Sequence, residues 1–158
     1  AMKYQMTEID IKANIESSIE SYQERYNEAE IKIISDLEEV GMMLGDQHRL
    51  TQLFTNLLEN TLRYTDDPGR LMIKMVSDDD QIIISFAETP PGVEEETLNK
   101  IFDRFFREEL SRSREMGGAG LGLSICSEII EAHSGSIQAK QADIGGLEII
   151  IKLSKGDL

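Results

Sequence analysis

The chain has 158 residues, 40% of them hydrophobic, and its 30 acidic against 16 basic side chains leave a formal charge of −14. That size and composition fit one globular domain with a real core and exclude a disordered chain. The acidic balance argues against nucleic-acid and anionic-membrane partners, which want a basic footprint; any phosphate ligand would then need a divalent cation and a few local Arg or Lys residues.

No apolar run approaches the roughly 18 residues of a membrane span, and there is no signal peptide, so a soluble fragment without direct membrane contact is expected. The lone Cys126 rules out an intrachain disulfide framework and falls on an apolar helix, as a core residue rather than a nucleophile. Ala1 ahead of Met2 reads as a tag remnant, so residues 1–7 are assigned to tag and linker, 8–155 to the domain and 156–158 to a tail.

Residues 8–40 read as a short strand (Ile9, Ile11), a helix over Ile15–Ala29 and a strand at Ile31–Ile34. Val40–Gly45 is predicted as a glycine-flanked connection, with Asp46 as N-cap of the next helix. That helix, Gln47–Tyr64, carries a broad apolar face of Leu50, Leu53, Phe54, Leu57, Leu58 and Leu62. TDDPG at Thr65–Gly69 is a turn. Leu71–Val76 and Ile82–Ala87 follow as the strands of a β-hairpin, joined by the acidic turn Ser77–Gln81. TPPG at Thr89–Gly92 is a second turn, and a helix is predicted near Glu94–Phe105. The polar stretch Arg107–Gly118 has no clean period and reads as a mobile loop. Gly117–Leu123 (GGAGLGL) then opens an amphipathic helix in which Leu121, Ile125, Ile129 and Ala132 recur at helical spacing. Ser136–Gln141, a turn at Gly145–Gly146 and the strand Leu147–Leu153 complete the chain. Strands in hairpins with helices between them, and no regular βαβ alternation, predict an α/β sandwich: one mixed sheet with helices packed on one face.

Three local patterns carry chemistry. GGAGLGL feeds a helix start, where unpaired first-turn N–H groups and the positive end of the macrodipole favour an anion. It fits neither GxGxxG nor GxxxxGK[ST], so the Rossmann and Walker sites are excluded, and a glycine-rich surface turn that binds nothing is the plain alternative. On the Gln47–Tyr64 helix, Asn56, Asn60 and Arg63 share one face, the two asparagines about 6 Å apart along the axis. Asn is a poor helix former, and its side-chain carbonyl is a hard oxygen of the kind Mg²⁺ takes; Arg63 can meet a phosphate and Tyr64 can pack beside a ring. A solvated helix face is the alternative. Glu88, at the end of IIISFAE, is an acceptor able to read an exocyclic amino group, or a solvated strand end.

Taken together, these pieces resemble the ATP-binding catalytic domain of sensor histidine kinases, in the superfamily shared with DNA gyrase B, Hsp90 and MutL. The matching motifs are FTNLLENTLRYT (asparagine box), ETPPGV and GGAGLGL (glycine boxes) and IFDRFFR (phenylalanine box), so the resemblance covers nearly the whole chain and is nearest to BaeS-type envelope-stress sensors. It implies the Bergerat-type ATP-binding fold and Mg²⁺–ATP as ligand. Asn60 would be the metal ligand with Asn56 beside it; Asn56, Asn60 and Arg63 would carry catalysis. Tyr64, Glu88 and Gly92 would line the nucleotide, and Gly118, Gly120, Leu121 and Gly122 would cradle phosphates, with the polar stretch before them as an ATP lid.

The resemblance further implies a γ-phosphoryl acceptor histidine on an upstream dimerisation domain. Neither His48 nor His133 lies in such a context. It also implies a response-regulator partner, a homodimeric parent, and a cytoplasmic domain of an inner-membrane-anchored protein. Two departures stand out: Glu88 replaces the usual Asp, lengthening the reach by roughly 1.5 Å, and Pro90 replaces Gly, removing an N–H. They motivate a competing reading, a degenerate module that signals through protein contacts. A serine kinase of the anti-sigma type fits IFDRFFR and the long lid less well.

Overall fold

The computed structural model of the chain is described over residues 3–104 and 122–156. Its elements run β1 (Thr7–Asp10), α1 (Ile11–Glu28), β2 (Ile31–Leu37), β3 (Met42–Gly45), α2 (Gln47–Tyr64), β4 (Gly69–Asp78), β5 (Gln81–Glu88), a 3₁₀ turn (Glu95–Thr97), α3 (Gly122–Ala132), β6 (Ser136–Gln141) and β7 (Leu147–Ser154). A five-stranded sheet has the order β2-β4-β5-β7-β6. Its β2–β4 pairing is parallel and the others are antiparallel, so the sheet is mixed, as the pattern of strands predicts.

Alternation sorts the sheet into two faces. Leu71, Ile73 and Met75 of β4, Ile82, Ile84 and Phe86 of β5, and Ile149, Ile151 and Leu153 of β7 are buried in one core with Ile15 of α1, Leu50, Leu53, Phe54, Leu57 and Leu58 of α2, and Cys126 and Ile129 of α3. Phe54 of α2 stacks on Phe86 of β5 with ring centroids 6.2 Å apart, fixing the asparagine-bearing helix over the central strand. Lys74, Ser85 and Lys152, at alternate register positions, occupy the opposite face.

Three expectations need correction. α1 begins at Ile11, because the Asp10 side chain accepts from Ala13 N at 3.1 Å and caps the helix there; Ile11 is its first buried residue, not a strand residue. Met42–Gly45, expected as a connection, is a strand: it pairs antiparallel with β1, opposing Ile9 to Met43, and both side chains are buried. A helix near Glu94–Phe105 does not form over the described part, 94–104. Its hydrogen bonds run three residues apart (Thr97 N to Glu94 O 2.9 Å, Lys100 N to Thr97 O 2.9 Å, Asp103 N to Lys100 O 2.9 Å), giving successive tight turns that still bury Ile101. Phe105, the end of that predicted helix, and the predicted loop Arg107–Gly118 lie outside the described residues.

Candidate functional site

α2 runs from the Asp46 cap, whose carboxylate accepts from Arg49 N at 2.9 Å, and carries Asn56, Asn60 and Arg63 toward its C-terminal end. Asn56 is half-buried, Asn60 is 6% exposed and Arg63 is exposed. Among the described residues, the buried Asn60 Oδ1 has no hydrogen-bond partner. A desolvated acceptor left unpaired costs about 1–3 kcal/mol, so this carbonyl oxygen is poised for a ligand that brings positive charge or a proton donor.

Arg63 is engaged elsewhere: its Nε donates to Glu59 Oε2 at 3.2 Å, one turn back. Glu59 also accepts from both terminal nitrogens of Arg25 (2.9 and 3.1 Å) and from the Tyr22 hydroxyl (3.0 Å), so it clamps α1 to α2. The Arg25 guanidinium holds the Glu59 carboxyl below the usual carboxylate range, against the opposing effect of burial. Tyr64 is half-buried.

Thr61, next to Asn60, reaches the sheet: its Oγ1 donates to Glu88 Oε1 at 2.9 Å. Glu88 follows Ile82, Ile84 and Phe86 on the inward face of β5 and is 5% exposed. Burial pushes its carboxyl up to about 7, partly offset by the hydroxyls of Thr61 and Thr65. Below it, the buried Tyr26 hydroxyl of α1 donates to Leu58 O at 2.6 Å, and burial raises this phenol too. α2 and β5 are thus joined through Thr61, the residue after Asn60, and Glu88.

The turn after Glu88 is held on three sides. Thr89 Oγ1 accepts from Arg70 N at 2.9 Å, Pro90 O accepts from Asp66 N at 3.1 Å, and Glu88 O accepts from Gly146 N at 3.0 Å. Pro90 sits here through its carbonyl, so its missing N–H costs this pattern nothing. Gly92 has φ +66°, and a Cβ there would lie 2.8 Å from Gly146 C. A Cβ on Gly145 would lie 2.8 Å from Pro90 Cγ, and one on Gly146 would meet the carbonyl oxygens of Glu88 and Thr89. The β6–β7 turn therefore buttresses the turn that carries Glu88. Sequence reasoning placed Gly145–Gly146 only as a turn; two adjacent glycines were the one available signal, and their partner lies more than fifty positions earlier in the chain.

Gly122 opens α3, whereas Gly118, Gly120 and Leu121 lie outside the described residues, as do Phe105 and Phe106. Cys126 is a core residue as expected: burial pushes its thiol up to about 12, and Sγ donates to Leu53 O at 3.8 Å. His48 is exposed at the start of α2. His133 is buried: its Nε2 accepts from Asp46 N at 3.0 Å, and its Nδ1 faces Ile129 O at 2.8 Å. Among the described residues no group of three or more His, Cys, Asp or Glu side chains could hold a metal ion. No helix there is long and apolar enough to cross a membrane.

Residues 45–157 match the histidine kinase-, DNA gyrase B- and HSP90-like ATPases. The chain belongs to this ATPase family. Over 153 residues it is 42% identical to the signal transduction histidine-protein kinase BaeS of Escherichia coli K12, covering 97% of this chain and 33% of that protein. Over 110 residues it is 39% identical to the sensor protein SrrB of Staphylococcus aureus NCTC 8325, covering 70% of this chain and 19% of that one. The chain thus spans a third or less of these curated sensor kinases. The catalytic domain of the histidine kinase ThkA has the same fold, with a TM-score of 0.85 at 26% identity over 96% of both chains. ThkA in complex with the response regulator TrrA matches with a TM-score of 0.80 at 25% identity, over 96% of this chain and 42% of that one. In this histidine kinase-type ATPase domain, α2 and β5 both lie within the matched residues.

Proposed function

We propose that residues 8–155 form the catalytic ATP-binding domain of a two-component sensor histidine kinase, binding Mg²⁺–ATP for transfer of the γ-phosphoryl group to a histidine on an upstream dimerisation domain. The observation that carries this reading is the buried, unpaired Oδ1 of Asn60, on the helix whose next residue, Thr61, donates to Glu88. Asn60 and Asn56 fit Mg²⁺ by chemistry, as neutral hard-oxygen ligands that leave the remaining positions to phosphates and water. The cation would supply the positive charge that a domain of formal charge −14 lacks.

At the other end Glu88 would receive the adenine, with Gly92 keeping the turn close and Tyr64 beside the nucleotide. Gly118, Gly120, Leu121 and Gly122 would offer backbone N–H groups to the phosphates. Phosphoryl transfer asks the protein for positioning and charge neutralisation. Asn56 is an amide and takes no proton from water, which suits a domain that keeps the γ-phosphoryl for a protein acceptor.

The complex of ThkA with the response regulator TrrA supports a response regulator as downstream partner, and the proposal extends to a dimeric, membrane-anchored parent with this domain on its cytoplasmic side. The engagement of Arg63 by Glu59 favours the second reading, a degenerate module with a weakened phosphate end. Transfer from radiolabelled ATP to the upstream segment of the parent protein, supplied in trans, separates the two. Acid-labile, base-stable label on that segment is expected; its absence in the presence of bound nucleotide would leave the degenerate module.

A further inference from the structure

Glu88 is an unusual group for a buried position. It is 5% exposed, and Thr61 Oγ1 donates to its Oε1 at 2.9 Å. The neighbours that face it are uncharged. Tyr26 comes from α1, with its hydroxyl committed to Leu58 O; Thr61 and Thr65 come from α2; and Leu71 is its register partner on β4. From the β6–β7 turn it meets the backbone N–H of Gly146, which is spent on its own carbonyl. Among the described residues no Lys, Arg or His contributes to its environment. An ionised carboxylate desolvated without a cation is strongly disfavoured, and the protonated form is the one this surrounding favours.

We propose that Glu88 reads the adenine ring as a neutral carboxylic acid, accepting from the exocyclic amino group and donating to the adjacent ring nitrogen. The inference rests on the ATP-binding reading and adds the proton to it. A carboxylate only accepts, whereas a carboxylic acid holds an acceptor and a donor side by side. Adenine presents the complementary pair, an amino donor next to a ring-nitrogen acceptor. Oε1 has two lone pairs, so it can take the Thr61 hydroxyl and the amino group together, leaving Oε2–H for the ring nitrogen. The Gly145–Gly146 buttress on the following turn sets how deeply the acid sits. Adenine recognition would then be gated by pH near neutrality, in agreement with a carboxyl pushed up to about 7 by burial.

The test is calorimetric titration of Mg–ADP into the domain between pH 6 and pH 8.5, for wild type and Glu88→Gln at each pH, so that the nucleotide's own ionisation cancels. Gln keeps the acceptor and donor without a proton to lose. Wild-type affinity relative to Glu88→Gln is expected to fall about tenfold between pH 6.5 and pH 8. Glu88→Gln is expected to match wild type at pH 6. At pH 8, heats in buffers of different ionisation enthalpy are expected to report uptake of close to one proton by wild type and none by the variant. A constant ratio of the two affinities, release of a proton, or loss of binding by Glu88→Gln at pH 6 with its circular dichroism unchanged would each overturn the acid form alone. Absence of wild-type binding at every pH would overturn the ATP reading with it.

Discussion

Asp46 and His133 are joined across the domain: the backbone N–H that begins α2 donates to the imidazole Nε2 that ends α3, at 3.0 Å. The same Asp46 accepts from Arg49 N at 2.9 Å and, through Oδ2, from Gln5 N at 2.7 Å. Burial raises the Asp46 carboxyl, but these N–H donors outweigh it and the net shift is downward. Asp46 therefore ties the incoming chain, the asparagine helix and the helix that follows the glycine loop. Tyr4 packs edge-on against His133 with centroids 5.9 Å apart, so the incoming segment covers the junction.

Replacing His133 by Leu keeps much of the volume and removes the acceptor. The buried Asp46 N–H is then unpaired, and a loss of about 1–3 kcal/mol is expected. Urea unfolding at neutral pH measures it; a change within error would show that the Asp46–His133 bond does not hold the two helix ends together.

Glu88 makes the nucleotide-free domain lose stability as pH rises. Its folded pKa of about 7 stands above the ordinary 4.5, so the folded state binds more protons across that interval. The group's full contribution is present below about pH 4.5 and is lost as pH passes through about 7, at most about 3 kcal/mol. Glu88→Gln is expected to have a melting temperature that stays level from pH 5 to pH 8, while wild type declines relative to it. Parallel pH profiles for the two proteins would contradict the assignment.

The two turns that meet at Gly146 give a positional test. Gly146→Ala drives a Cβ into the carbonyl oxygens of Glu88 and Thr89, so the turn that carries Glu88 must move. A drop in ATP affinity of tenfold or more is expected. Gly41→Ala is the control: at φ +78° with open space around it, it costs about 1–2 kcal/mol of backbone strain and leaves affinity unchanged. Equal affinities for both variants would remove the buttress from the account.

How much could be read from the sequence depended on whether the deciding contacts were local. The α2 helix was legible in full, from its Asp46 cap through its leucine face to Tyr64, because capping and 3.6-residue periodicity are local signals. Strand β3 was missed because four residues beside a glycine carry too short an alternation, and only pairing with β1 defines them. The turns around Ile101 look helical in sequence since apolar residues three and four apart serve both geometries. Asn60 and Glu88 were singled out by residue type and spacing, and the structure buries both. Their link through Thr61 was not, since a threonine inside a helix carries no mark of what it touches. The Glu59–Arg63 pair, four apart, was visible in the sequence; Arg25, which completes the clamp, comes from another helix. The Asp46–His133 bond spans 87 positions and depends wholly on the tertiary fold.

The unpaired Asn60 carbonyl and the buried Glu88 are proposed as the two ends of one Mg²⁺–ATP site. Isothermal titration of Mg–ATP into wild type and Asn60→Ala at pH 6.5, each repeated with excess EDTA, tests it most directly. Saturable binding by wild type is predicted, weakened at least tenfold both by Asn60→Ala and by chelation, with chelation adding little to the variant. No wild-type binding at millimolar nucleotide, or binding unaffected by both changes, would contradict it.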